Sequence, residues 1–313
     1  MRPFLLFALA LIGSVSWAPA SDLASPPIFE ADVEMVRLNV SVVNGRDRFV
    51  TDLRAEDFVV LENGVKQKVT LFDPKDLPLS LVMLVDMSAS MAPKLKATVR
   101  AATRLIERLR PQDEAEIVTF SQRLKVLQKA TSDQPALAEA LTRAQPEGAT
   151  ALHNALYVTL KDLHRDETDD KLWRRAIVVL SDGEDTSSVV TDEQVLALAR
   201  AAQVCIYTVL VSSTTESAQP EARHFLTALA RESGGDAFFL DGVSELRGVY
   251  ERIAQELHSQ YCLGYVSTHP TLDGNWRQIL VLTPERNQLT VRHRVGYYAP
   301  SSGEAVPRAG SGR

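Results

Sequence analysis

The sequence predicts an α/β protein: a doubly wound, mostly parallel sheet covered by helices, with β segments on both flanks that pair into a β-sandwich. Three observations carry this reading. Leu81-Val82-Met83-Leu84-Val85 and Ala176-Ile177-Val178-Val179-Leu180 are apolar without alternation, as strands buried on both faces are. Between such runs, apolar residues recur at helical spacing, as at Leu95, Val99, Ala102, Ile106 and Leu109. Before residue 79 and after residue 259 the pattern is instead period two, punctuated by Asn-Gly and Asp-Gly turns.

Taken in order, Val36, Leu38, Val40 and Val42 alternate with polar residues in a half-buried strand ending at Asn44-Gly45. Phe58 to Leu61 and Val65 to Leu71 follow as two strands joined at Asn63-Gly64, a hairpin turn because both residues accept φ > 0. The alternating α/β region then reads as strands near 81–85, 115–120, 176–180, 204–211 and 237–240. Its helices are expected near 95–109, 134–143, 150–164, 191–202, 221–233 and 244–259. Pro93 suits the first turn of a helix, and Thr191 with Gln194 forms a capping box. This βαβα succession predicts a parallel sheet with helices on both faces. Strands return at 261–266, 277–282 and 289–295, and the tail 301–313 reads as disordered.

Composition bounds the rest. The 313 residues are 45% hydrophobic and 24% charged, with a net charge of −6, which excludes a disordered or multispanning chain and disfavours nucleic acid as a partner. Arg2, the apolar run Phe4 to Val15 and Ala18-Pro19-Ala20 read as a signal peptide over 1–20; roughly 12 apolar residues are too few for a span, which needs about 20. The expected location is periplasmic or extracellular, with no membrane span. Losing Arg2 brings the charge from −6 to −7. Two cysteines, Cys205 and Cys262, are too few for a disulfide scaffold or zinc cluster. Cys205 reads as a core residue, although a single bridge between the two is also open, since both lie toward the end of the sheet opposite its strand C-termini.

Ligands of open α/β sheets sit at the carboxyl ends of the strands. There the sequence places Asp86-Met87-Ser88-Ala89-Ser90 after one buried strand, Ser181-Asp182-Gly183 after another, and Gly148-Ala149-Thr150 between them. Two carboxylates and three hydroxyls from three loops form an all-oxygen set, suited to a hard cation such as Mg²⁺. His153 is one turn beyond Thr150 and reads as packing or surface rather than ligand; Glu184 and Asp185 read as a solvated acidic loop. No histidine pair has zinc-ligand spacing, and no P-loop, G-x-S-x-G or G-x-G-x-x-G motif supplies enzyme chemistry.

In this setting the residues resemble the metal-ion-dependent adhesion site of von Willebrand factor type A domains, whose pattern is D-x-S-x-S, then Thr, then Asp. The resemblance covers roughly residues 79–259 and implies metal ligands Asp86, Ser88, Ser90, Thr150 and Asp182. The hydroxyls would bind directly and the two aspartates directly or through water. Ala89 stands where many members have Gly, a departure that touches no ligand. The implied cofactor is Mg²⁺, or Mn²⁺ or Ca²⁺, and the implied activity is adhesion-type protein binding to a partner presenting Asp or Glu. A structural envelope-assembly role without metal is the alternative, and a metal-dependent hydrolase a weaker one. With β segments on both sides of this region, the chain also resembles bacterial exported VWFA-related proteins. The flanks at 29–76 and 260–300 are each too short to bury a sufficient core alone, so they are expected to pair as one interrupted domain.

Overall fold

The computed structural model describes residues 35–73, 77–165, 173–183, 185–211, 220–269, 271–286 and 288–301. The signal-peptide assignment (1–20), the tail beyond Ser301 and Glu184 lie outside the described residues.

Alternation in sequence becomes alternation in burial in β1 (Met35–Val43), where Val36, Leu38, Val40 and Val42 face a core. Next come β2 (Val59–Glu62), β3 (Val65–Gln67) and β4 (Val69–Asp73). The Asn63-Gly64 turn has the expected left-handed backbone, with φ of 47° and 82°. The α/β region is β5 (Leu79–Asp86), α1 (Leu95–Ile106), β6 (Glu114–Phe120), β7 (Leu124–Thr131), α2 (Gln134–Thr142), α3 (Leu152–Arg165), β8 (Arg174–Ser181), α4 (Asp192–Ala201), β9 (Cys205–Val211), α5 (Pro220–Ser233), β10 (Ala237–Leu240) and α6 (Leu246–Ser259). The last strands are β11 (Tyr261–Val266), β12 (Trp276–Leu282), β13 (Thr290–Arg292) and β14 (Gly296–Tyr298).

The central sheet has the order β10-β9-β8-β5-β6-β7, parallel except for β7. The chain enters at β5, winds outward to β7, then crosses to β8 and winds the other way. The strand order therefore reverses between β5 and β8, where such sheets open a crevice. Apolar clusters fill both faces: one built with α1, α2 and α6, the other with α3, α4 and α5.

The flanking strands form two further sheets, β13-β1-β11-β4 and β14-β12-β2-β3. N- and C-terminal strands alternate in the first, where β11 lies between β1 and β4, and meet at a single pair in the second, β12 with β2. One core unites Leu38, Phe58 and Val60 with Tyr261, Leu263, Tyr265 and Ile279.

Four segments differ here from the sequence expectation. β7 went unread because its outer edge is solvated: Leu124, Val126 and Leu127 interleave with Lys125 and Lys129, and no residue of it is fully buried. Residues 65–71 are two strands, because the chain passes from one sheet to the other at Lys68; residues 289–295 likewise break, and β13 and β14 join different sheets. Ser301, expected in a disordered tail, bridges to Asp273.

The α/β region and the flanking sheets meet through buried polar contacts. Only Gln260 separates α6 from β11, and its side-chain amide donates to the Tyr207 hydroxyl at 3.1 Å. Glu256 of α6 is fully buried, accepts from Ser41 Oγ of β1 at 2.8 Å and pairs with Arg292 of β13, which also pairs with Asp236. Burial pushes the Glu256 carboxyl up, against the pull of the Arg292 guanidinium.

Cys205 and Cys262 are both buried and unbridged. Burial pushes their thiols up to about 12 and about 11, respectively. Iodoacetamide at pH 8 should therefore leave the native chain unlabelled and label both thiols once it is unfolded in urea; mass spectrometry reads the difference, and native labelling would contradict the packing. A chain ended after Ser259 loses the strand between β1 and β4. Limited trypsinolysis should then cut within residues 35–73 readily, and a resistant segment would show that the N-terminal strands hold a core of their own.

Candidate metal centre

The crevice between β5 and β8 holds the residues singled out by the sequence. Asp86 ends β5 with its side chain fully buried. Its Oδ1 accepts from Ser88 N at 2.8 Å and its Oδ2 from Ser181 Oγ at 2.6 Å. Burial pushes this carboxyl up to about 6, against hydrogen bonds from Ser181 and Ser88 that lower it, while the neighbouring Asp182 charge adds to the rise. A cation beside it would offset that penalty.

Beyond Asp86 the chain makes a 3-10 turn, Ala89–Lys94, that leads into α1. This turn brings Ser88 Oγ and Ser90 Oγ to 3.0 Å. Adjacent ligands of an octahedral Mg²⁺ at 2.0–2.1 Å would lie about 2.9 Å apart, so the two hydroxyls fit one coordination edge. Ala89 is exposed and free of positive φ, so the methyl that replaces the common Gly is accommodated without strain.

Asp182 follows β8. Its Oδ2 accepts from Lys94 Nζ at 3.1 Å, and both side chains are nearly buried, at 7% and 8% exposed. Its Oδ1 is buried and has no hydrogen-bond partner among the described residues. Buried polar atoms are seldom left so, and an open acceptor at this point is what a cation would use. Gly183 has φ of 86°, and a Cβ there would come within 2.3 Å of Leu210 Cδ1, so glycine is required for the chain to turn away after Asp182.

Thr150 lies in the loop before α3 rather than in the helix itself, and is buried. Its carbonyl accepts from Thr186 N at 2.9 Å, Ser187 N at 3.0 Å and Ser187 Oγ at 2.9 Å, which ties this loop to the one after β8. Ala89 N donates to Gly148 O at 3.0 Å, which ties it to the D-x-S-x-S loop. The three loops are thus laced together by their backbones. The Asp86 carboxylate accepts from the Ser88 backbone, the Ser88 and Ser90 hydroxyls meet directly, and Ser181 connects Asp86 to the loop of Asp182. Among the described residues no cluster of three or more His, Cys, Asp or Glu exists, so a cation at this crevice would rest largely on hydroxyls.

Asp185 is not a solvated loop residue. Its carboxylate accepts from His153 N at 2.8 Å and Ser188 N at 2.9 Å, organising the start of α3. Burial would raise its carboxyl, but these bonds hold it below the ordinary range. His153 stacks edge-on against Phe225 at 4.6 Å with Nδ1 3.3 Å from Asp185, so it packs as expected.

Sequence patterning did not mark Lys94 or Ser181. Ser181 was visible only as the last residue of a buried strand, yet a hydroxyl there faces the end of the neighbouring strand. Lys94 sits in a short turn with no periodic signal, eight positions after Asp86 and two before Lys96, so nothing in the pattern set it apart.

Residues 81–184 match the family described as von Willebrand factor type A domain. An uncharacterized protein of Synechocystis sp. is 25% identical over 228 residues, covering 70% of this chain and 52% of that protein, so the chain spans about half the length of this curated relative. The fold is similar to that of BatB from Bacteroides thetaiotaomicron, with a TM-score of 0.45, 19% identity and coverage of 57% of this chain and 98% of the other. It is also similar to a von Willebrand factor type A protein from Catenulispora acidiphila, with a TM-score of 0.49, 15% identity and coverage of 74% and 52%.

Removing one partner of a buried ion pair leaves the other charge uncompensated. Lys94→Met should therefore lower unfolding free energy by about 3–5 kcal/mol, and Lys94→Met with Asp182→Asn should recover most of the loss. Urea denaturation of the two variants checks this; equal stability of the two would show that Asp182 does not depend on Lys94.

Proposed function

We propose that this chain, which carries a von Willebrand factor type A domain, is an exported module that binds a protein partner through a divalent cation. Asp86, Ser88, Ser90, Thr150 and Asp182 would hold the cation, Mg²⁺ or alternatively Mn²⁺ or Ca²⁺. When bound, it would supply a Lewis-acidic position for a carboxylate of the partner. The observation that carries the reading is the pairing of Ser88 and Ser90 hydroxyls at 3.0 Å with a buried, unpartnered Asp182 Oδ1 in the same crevice.

The residues themselves divide the task. Ser88 N and Ser181 Oγ fix both oxygens of Asp86, so its orientation is set before any ligand arrives. Ser88 and Ser90 supply neutral donors, which leave positive charge unspent for an incoming anion. The loop hydrogen bonds of Gly148 and Thr150 hold three chain segments in register at the sheet edge. A set of neutral hydroxyls around two carboxylates suits capture of an anion by the cation they would hold. Export rests on the signal-peptide pattern of residues 1–20; no helix among the described residues is long and apolar enough to cross a membrane. An acidic chain of net charge −6 gains from a local cation the positive point that an Asp or Glu of a partner can find.

A second reading has its own observation. Lys94 already places a positive charge on Asp182, and a crevice whose negative charge is halved in this way could support envelope assembly without metal.

Cation titration separates the two. At ten times its dissociation constant, Mg²⁺ should add about 1.4 kcal/mol to unfolding free energy, and Asp86→Ala should abolish the gain. Lys94→Met should enlarge the response, because one competing cation is gone. Unfolding curves that ignore Mg²⁺, Mn²⁺ and Ca²⁺ in both the native chain and Lys94→Met would favour the metal-free reading.

A further inference from the structure

Beside the crevice, a cleft of about 230 Å³ opens between the ends of β6 and β7 and the segment after α2. Met87, flanked by Asp86 and Ser88, lines it, and Met87 N donates to Phe120 O at 2.7 Å while its carbonyl accepts from Glu147 N at 2.7 Å. Cleft and candidate metal centre are therefore built on one continuous backbone. Phe120 and Met87 give the cleft a buried apolar floor. Its rim carries Arg123, Lys125 and Arg143, all exposed, against the single carboxylate of Glu147. The side chains of Arg123 and Lys125 make no hydrogen bond or ion pair among the described residues, and Arg143 reaches only the Leu127 carbonyl, at 3.3 Å.

Three cations against one carboxylate give this rim a local basic excess in a chain with forty acidic and thirty-four basic residues. Lysines on β7 alone would serve to protect an unpaired sheet edge. That role accounts for Lys125 and Lys129 but not for Arg123, in the loop before the strand, or Arg143, at the end of a helix. Their convergence on a cleft that shares Met87 with the candidate metal centre indicates a recognition surface.

We propose that this cleft is a second anchoring point for the partner, which is a protein segment carrying more than one acidic side chain: one carboxylate reaches the metal centre and another seats between Arg123, Lys125 and Arg143. This rests on the metal-dependent reading for the first carboxylate; the second contact is the chain's own. Guanidinium groups pair carboxylates with two parallel hydrogen bonds, so Arg123 and Arg143 suit a carboxylate better than a diffuse charge.

Fluorescein-labelled hexaglutamate, followed by anisotropy against the full chain in Mg²⁺ and in EDTA at low and high NaCl, tests the proposal. Arg123→Ser with Lys125→Ser removes two exposed side chains that make no described hydrogen bond or ion pair. The double variant should bind about tenfold more weakly with a shallower salt dependence, while its Mg²⁺ stability gain stays that of the native chain. Native-like affinity and salt dependence in the double variant, or no binding of hexaglutamate by the native chain, would overturn the cleft assignment. An oligothymidylate of equal charge that binds more tightly and is lost in the same variant would overturn it in favour of nucleic acid. Binding that is indifferent to EDTA but lost in the variant would uphold the cleft and defeat the metal reading; binding lost in EDTA but unchanged in the variant would do the reverse.

Discussion

Two carboxylates largely withdrawn from water at the ends of adjacent strands impose the constraint on which this structure depends. Asp86 and Asp182 sit where the central sheet reverses its winding, and each must be compensated locally or carry a large desolvation penalty. The compensation comes from two segments, the turn after β5 and the end of β8. Ser88 N and Ser181 Oγ hold Asp86, Lys94 holds one oxygen of Asp182, and the other oxygen has no hydrogen-bond partner among the described residues. The short 3-10 turn after Asp86 follows from this arrangement. An α-helix begun at once would have carried Ser90 and Lys94 to other directions, whereas the tighter turn brings Ser90 to Ser88 and Lys94 back over Asp182.

The same economy of buried charge joins the α/β region to the flanking sheets. Glu256 comes from the last helix, Ser41 from the first strand, Arg292 from near the end of the chain and Asp236 from the loop before β10. Glu256 is the fully buried charge among them and would be poorly tolerated alone, so its network favours all four segments in place together. Since α6 runs into β11 through one residue, the helix that covers the central sheet and the strand at the middle of a flanking sheet share one rigid path. Nothing in the local sequence of either flank specifies this arrangement; it follows from the way the two flanks complete each other's hydrogen bonding.

What was legible in the sequence follows physical lines. Strands buried on both faces, such as β5 and β8, read clearly because their apolar runs admit no other explanation, and with them the position of Asp86 and Asp182. The Asn63-Gly64 turn and the Thr191 cap were readable because each depends on the chemistry of two or three neighbouring residues. The division of residues 65–71 between sheets, and the break between β13 and β14, were not, since period two is preserved when a strand crosses from one sheet to another and only the partner changes. β7 was hidden by the charges that an unpaired edge carries. Lys94 was hidden for a related reason: a lysine near a helix start looks solvated unless the carboxylate it meets, eighty-eight positions later, is already placed.

Lys94 also bears on how such a centre would select an anion. Asp86 and Asp182 carry two formal negative charges and Lys94 one positive, so the metal-free crevice is one charge short of neutral. A divalent cation added to the aspartates alone would bring the site to zero, leaving attraction for a carboxylate to the cation's incomplete coordination. With Lys94 retained, the same cation brings the site to a net positive charge. The lysine thereby opposes entry of the metal and favours the anion once the metal is in place, because both effects are the same Coulombic interaction felt by charges of opposite sign. In a chain as acidic as this one, that surplus and the basic rim beside it would be the features drawing a negatively charged segment to this end of the sheet.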